Sequence, residues 1–112
     1  MAKHTKRNMG VALTAAKRAE RVLPYFERRY PKDERPRKAI AALRTWIRTG
    51  VFSMPVIRKA SLAAHAAARK APEDSAARAA ARAAGQAAAV AHVITHARGV
   101  AYYAKKAVLL GK

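Results

Sequence analysis

The chain has 112 residues, of which 24 are lysine or arginine, 6 are aspartate or glutamate and none is cysteine, so its formal net charge is +18. The length allows a single hydrophobic core, the lack of cysteine excludes disulfides and thiolate metal sites, and no apolar stretch reaches the roughly 18 residues of a membrane span. We therefore expect one cytoplasmic domain that has no membrane partner and must fold against strong self-repulsion.

The first part of the chain predicts a basic arm followed by a helix. Residues 1–8 are expected to be a flexible basic N-terminal arm, and 9–112 a single α-helical domain. Apolar residues recur at helical spacing from Met9 onward; they are Met9, Ala12, Ala16, Ala19, Leu23, Phe26 and Tyr30. Pro24 lies inside this pattern and should kink or divide the helix near Leu23, because proline lacks the N–H that an internal helix position donates.

Two further helices are predicted in the middle of the chain. Asp33 is a suitable N-cap for the second, and Pro36 falls in its first turn, where a missing N–H costs little. Gly50 supplies the stop at its C-terminus. A third helix starts at Ser53–Pro55 and runs through about Lys70.

The rest of the chain is rich in alanine, a strong helix former with a small side chain. A fourth helix is expected from Asp74 to about Val93 and a fifth from about 95–98 to Gly111, while one long helix over 74–109 also fits the pattern. No alternating run indicates a strand. The predicted fold class is therefore all-α, a compact antiparallel bundle of four to five helices.

The basic side chains predict a polyanionic partner. They recur at turn spacing, and few acids lie four residues away to pair with them. No homeodomain, zinc-finger or aromatic RNA-binding pattern accompanies them, so we expect contacts to phosphate backbones, with double-stranded DNA slightly favoured over structured RNA. The predicted function is a small, non-enzymatic, chromatin-like or ribosome-associated nucleic-acid-binding protein. The expected contacts are Lys3, Lys6, Arg7, Lys17, Arg21, Arg28, Arg37, Arg44, Arg48, Arg58, Arg69, Arg78, Arg82, Arg98, Lys105 and Lys106.

The histidines and acids offer little chemistry. His92 and His96 are four residues apart, and His65 lies among the alanines of the third helix. Histidines at this spacing can bind zinc, but no carboxylate or cysteine lies nearby to complete a ligand set, so hydrogen bonding between helices is expected and no metal. No serine has an evident base and orienting group, and there is no phosphate-binding loop. We expect no catalysis, no cofactor and no small-molecule substrate.

Six short pieces carry a resemblance to a known family. They are Ala19–Pro24, Asp33–Ile40, Ala63–Arg69, Ala79–Gln86, Ala91–Val93 and His96–Ala97. Together they resemble the small, alanine-rich, helical immunity proteins of bacterial toxin systems, over most of the stretch from Glu20 to Ala107. The resemblance implies a helical fold and a shared polar and aromatic centre formed by Asp33, Arg35, Trp46, His65, His92 and His96.

The resemblance also implies an alternative function, that of an immunity or antitoxin protein that binds and neutralises a protein toxin. The chain departs from the family pattern in two ways. Gln86 stands where a histidine is expected, and the surface is basic, whereas immunity proteins usually present acidic surfaces to basic toxins. A toxin partner of this chain would accordingly be acidic. The alanine-rich faces also allow a homodimer.

Overall fold

The five helices that the sequence predicts all form. A computed structural model describes residues 1–112 and contains no strand; its helices are α1 (Lys6–Glu27), α2 (Arg35–Thr49), α3 (Met54–Ala68), α4 (Ala76–Val90) and α5 (His96–Leu110). The Cα radius of gyration is 12.6 Å, close to the roughly 13 Å of a compact domain of this length. The all-α, compact bundle is confirmed. No helix combines the length and the apolar composition that a membrane crossing needs.

Consecutive helices run in opposite directions, so α1, α3 and α5 point one way and α2 and α4 the other. Glu27 at the end of α1 pairs with Arg37 near the start of α2, with 2.6 Å between Oε1 and Nη2. The neighbours α1 and α5 are parallel, since Tyr25 near the end of α1 lies against Gly111, which follows α5.

The start of α1 differs from the prediction. The helix begins at Lys6 instead of Met9, and Thr5 is its N-cap, because Thr5 Oγ1 accepts from the backbone N–H of Asn8 at 3.1 Å. A capping hydroxyl of this kind satisfies one of the free N–H groups of the first turn. The helix is also not divided at Pro24, which lies close to its C-terminal end and removes a single backbone hydrogen bond there.

Residues 1–8, for which the sequence predicts a flexible basic arm, pack on the domain. Ala2 is buried, and its backbone N–H donates to the carbonyl of Ala91 at 3.2 Å. His4 Nε2 donates to the carbonyl of Ile47 at 2.9 Å, at the C-terminal end of α2. The charge of this segment predicts solvation, but these two backbone carbonyls and the Thr5 cap hold it in place.

Both ends of α2 follow from local chemistry. The residue at the N-cap position is Glu34, but the capping contact comes from the predicted Asp33, whose Oδ1 accepts from the N–H of Arg35 at 3.2 Å. Pro36 occupies the first turn as expected. Gly50 ends the helix at φ 70°, a left-handed conformation that favours glycine.

The central element is α4, which packs against all four other helices. Ten of its fifteen residues are buried, and these are alanines apart from Gly85 and Val90. Small side chains let the neighbouring backbones come close, since the distance between packed helices depends on the side chains at the contact. The helical conformation is interrupted between α4 and α5 at residues 91–95, so the single long helix over 74–109 does not form.

The large buried side chains come from the first half of the chain. Trp46, Phe26 and Leu43 are the largest that are fully buried. Leu62 and Leu109, two of the large apolar side chains, are 61% and 57% exposed. The second half of the chain is packed mainly by alanine.

Candidate functional site

A strip of polar side chains runs along α4 where no other helix covers it. Arg78, Arg82 and Gln86 are four residues apart, so they lie on one face of the helix, and each is half-buried. Helices α3 and α5 both pack against α4 but do not approach one another. The strip is therefore the floor of a cleft whose walls are α3 and α5, which we call the α4 cleft.

His65 projects from α3 into the α4 cleft. Arg82 Nη1 donates to His65 Nδ1 at 2.9 Å. Burial, together with the nearby positive charges of Arg82 and Arg69, lowers the pKa of His65 to about 4. The imidazole is therefore neutral at pH 7, with Nδ1 accepting from the guanidinium and the proton on Nε2.

A missing side chain makes room for the His65 ring. A Cβ added to Gly85 would lie 2.6 Å from His65 Nε2, well inside van der Waals contact. Ser61, one turn before His65 on α3, donates from Oγ to the carbonyl of Gly85 at 2.9 Å. Helices α3 and α4 are thus joined by two contacts at Gly85 of α4: the His65 ring packs against it, and Ser61 bonds to its carbonyl. The first of these contacts requires glycine, because any Cβ there would clash with the ring.

The wall formed by α5 repeats the same arrangement. His96 Nδ1 donates to Gln86 Oε1 at 2.7 Å. A Cβ on Gly99 would lie 2.7 Å from Gln86 Oε1, so a second glycine accommodates the amide. Gln86, the departure from the expected histidine, is therefore the hydrogen-bond partner of a histidine on the next helix.

The other residues of the predicted polar centre lie apart from this cleft. The His92 ring stacks on Phe52, with 6.0 Å between ring centroids. Trp46 meets the ring of His4 edge to face at 5.4 Å. The indole Nε1 of Trp46 is buried and has no hydrogen-bond partner.

Asp33 forms a third separate group with two cations. Its Oδ1 accepts from Arg35 Nε at 2.9 Å, and its Oδ2 accepts from Arg35 Nη2 at 2.7 Å and from Lys70 Nζ at 2.8 Å. The Arg35 guanidinium holds the pKa of the Asp33 carboxyl well below its usual range, and the Lys70 ammonium adds to this. The contact joins the start of α2 to the turn after α3. The residues of the predicted centre are therefore divided among four groups: the α4 cleft, the His92 pair, the Trp46 pair and the Asp33 group.

A cavity of about 250 Å³ opens at the end of the α4 cleft near the start of α4. Arg78 and Lys106 face it, paired with Glu73 at 4.0 Å and with Asp74 at 3.7 Å. Both carboxylates are exposed, at 90% and 82% of their side-chain surface, and such pairs contribute little to stability. No three histidine, aspartate or glutamate side chains gather there, or elsewhere, in a way that could hold a metal ion.

The chain also matches a known protein family over nearly its full length. A model of the family described as Imm-5 like putative immunity protein matches residues 2–112. The chain belongs to this family. No curated protein and no solved structure matches it significantly. The resemblance carried by the six sequence pieces is therefore confirmed, and it extends over nearly the whole chain.

The basic surface of this Imm-5-like protein is partly neutralised by pairs that cross between helices. Arg44 and Arg37 of α2 each grip a glutamate of α1 with two hydrogen bonds, to Glu20 and Glu27 respectively. Six cations lie within 4.0 Å of a carboxylate; they are Arg35, Arg37, Arg44, Lys70, Arg78 and Lys106. The remaining lysines and arginines have no carboxylate that close.

Family membership overturns the nucleic-acid-binding function that the charge predicts. The family match points to an immunity protein, which is the alternative function, and the nucleoid or ribosome association loses its basis as well. Within the predicted contact set, Arg37, Arg44, Arg78 and Lys106 pair with acids, and Arg82 binds His65.

Sequence reasoning missed the residues that shape the α4 cleft. Gly85 and Gly99 each admit a polar side chain from the neighbouring helix, and His4 covers Trp46. The signal for the glycines is visible in the sequence, since an isolated glycine in a strongly helical alanine run costs stability and calls for a packing reason. Nothing in the sequence signals the position of His4.

Proposed function

We propose that this chain is an immunity protein that binds and neutralises a protein toxin through an acidic surface of that toxin. The observation that carries the proposal is the family match over residues 2–112. The charge refines it, because a chain with a net charge of +18 attracts a partner of opposite sign and repels a basic one. We expect the chain to meet its toxin in the cytoplasm, as the sequence predicts.

The unpaired cations suit rapid capture of such a partner. Complementary charge steers association and can raise the rate constant by one to three orders of magnitude over that of a neutral pair, an effect that salt suppresses. An immunity protein has to reach its toxin before the toxin reaches its target. A strongly charged surface provides this speed even where the final contacts are few.

Co-expression with the product of a gene adjacent to the one that encodes this chain, chosen because that product alone stops growth, tests the proposal. Cells that produce the toxin alone should stop growing, and cells that also produce this chain should grow. The purified pair, treated with nuclease, should elute as one complex in size-exclusion chromatography, and its association rate should fall steeply as salt rises. Unprotected cells and two separate elution peaks would refute the proposal.

A further inference from the structure

The seam between the parallel helices α1 and α5 forms a long groove on the surface. Two cavities of about 440 and about 350 Å³ lie along it and share Arg18 as a wall residue. Arg7 lines the first cavity, and Arg21 and Lys105 line the second. From Arg7 to Arg21 the rise of 1.5 Å per residue gives a length of about 21 Å. We call this the α1/α5 groove.

The α1/α5 groove is lined by cations and by no acid. None of its four cations has a carboxylate within 4.0 Å; they are Arg7, Arg18, Arg21 and Lys105. Helix α5 contains no aspartate or glutamate. The two acids of α1, Glu20 and Glu27, are both held by arginines of α2. Positive charge is thus left uncompensated in this groove, whereas two of the cations at the α4 cleft, Arg78 and Lys106, each have a carboxylate within 4.0 Å.

Apolar side chains lie between these cations. Val11 in the first cavity is 38% exposed, and Val108 in the second is 39% exposed. Ala97 and Ala101 complete the α5 side of the groove with small side chains. Arginine around a partly apolar centre is typical of protein interfaces, whereas contacts to phosphate backbones come from charged side chains and hydrogen-bond donors. The composition therefore favours a protein segment over nucleic acid.

We propose that the α1/α5 groove is the docking site for an acidic amphipathic helix of the toxin. The proposal rests on the proposed immunity function. A helix of about four turns matches the length of the groove, and it would lie beside α1 and α5 as a further member of the bundle. Its apolar face packs on Val11 and Val108, and its carboxylates pair with Arg18, Arg21 and Lys105.

Charge reversal in the groove, compared with the same reversal elsewhere, tests this assignment. The groove variant is Arg18→Glu with Arg21→Glu, and the matched control is Arg58→Glu with Lys59→Glu on α3, where both side chains are exposed. Each variant changes the net charge equally, and each relieves self-repulsion, so neither should unfold at a lower temperature than the parent chain. Affinity for the purified toxin is measured by titration calorimetry at 150 mM salt.

The groove variant should bind the toxin roughly 100-fold or more weakly, because it places two acids against the carboxylates of the partner, while the control should lose about threefold through the long-range field alone. Equal losses in the two variants, with the parent binding tightly, would overturn the groove and leave the immunity function standing. Failure of the parent to bind the toxin would refute the proposed function itself. A groove variant that keeps toxin affinity but loses affinity for duplex DNA would assign the groove to nucleic acid and overturn the inference.

Discussion

A single methyl group at Gly85 gives the sharpest test of the α4 cleft. In an open helical position, replacing glycine by alanine stabilises a protein by about 1 kcal/mol. At Gly85 the new Cβ would lie 2.6 Å from Nε2 of His65 and 2.8 Å from its Cδ2 and Cε1. Overpacking of this kind typically costs about 1–3 kcal/mol. We therefore expect Gly85→Ala to lower the free energy of unfolding by about 0–2 kcal/mol, the difference of the two effects.

Gly10 provides the matched control. It lies in α1, and a Cβ added there meets nothing within 4 Å, so Gly10→Ala should be stabilising by about 1 kcal/mol. The two variants should then differ by about 1–3 kcal/mol. For a chain of this length 1 kcal/mol moves the melting temperature by about 4 °C. Thermal unfolding at pH 7, followed by circular dichroism, should place Gly85→Ala about 4–12 °C below Gly10→Ala.

A double-mutant cycle identifies the His65 ring as the cause. In a His65→Ala background the ring is gone, so Gly85→Ala should recover the stabilisation seen at Gly10. The coupling energy between positions 65 and 85 should accordingly be about 1–3 kcal/mol. A Gly85→Ala variant that melts as high as Gly10→Ala, or a cycle with no coupling, would refute the account of the cleft as a close fit between a ring and a glycine.

Two further predictions concern contacts that bind chain segments together. Asp33→Asn should destabilise the fold by roughly 1.5–3 kcal/mol at pH 7. Because the pKa of Asp33 is lower in the folded than in the unfolded chain, the contribution of Asp33 to stability is present above pH 3.8 and is lost as the pH falls below that value. The free energies of unfolding of the parent and the variant, measured in urea, should therefore converge toward pH 2. A difference that stays constant with pH would contradict the ion-pair account. His4→Ala should cost about 1 kcal/mol and expose Trp46, the only tryptophan, to acrylamide quenching. If quenching and stability are both unchanged, His4 does not hold residues 1–8 on the domain, and the result would support the flexible arm that charge predicts for them.

The helices could be predicted because local signals decide them. Alanine content, the proline in the first turn of α2 and the glycine after it each act within a few residues, and the structure has its elements where they indicate. The break between α4 and α5 could not be decided, since residues 91–95 contain neither glycine nor proline. What ends α4 there is the tertiary packing of α5 back onto α4, which periodicity does not report.

The site was predicted less well because its contacts are long-range. Helical spacing predicts which acids can pair along one helix, and by that rule Arg44 lacks a partner while Arg37 would pair with Asp33 or Glu34. Their partners lie on α1, 10 and 24 residues away. In the same way, the sequence predicts that His65 and His96 form hydrogen bonds between helices, and they do. Spacing alone does not identify Arg82 as the partner of His65 or Gln86 as the partner of His96.

The composition of α4 separates what can vary in this protein from what cannot. Alanine has no rotamers to lose, so the central helix is ordered with almost no side-chain entropy cost, and each buried alanine is also close to the largest side chain its position can hold. Substitution of these alanines by larger residues is therefore prevented by the lack of space, while the outer faces of α1, α3 and α5 can change in charge and shape. A scaffold of this kind can acquire a new partner by exchanging surface residues alone, with its packing left as it is.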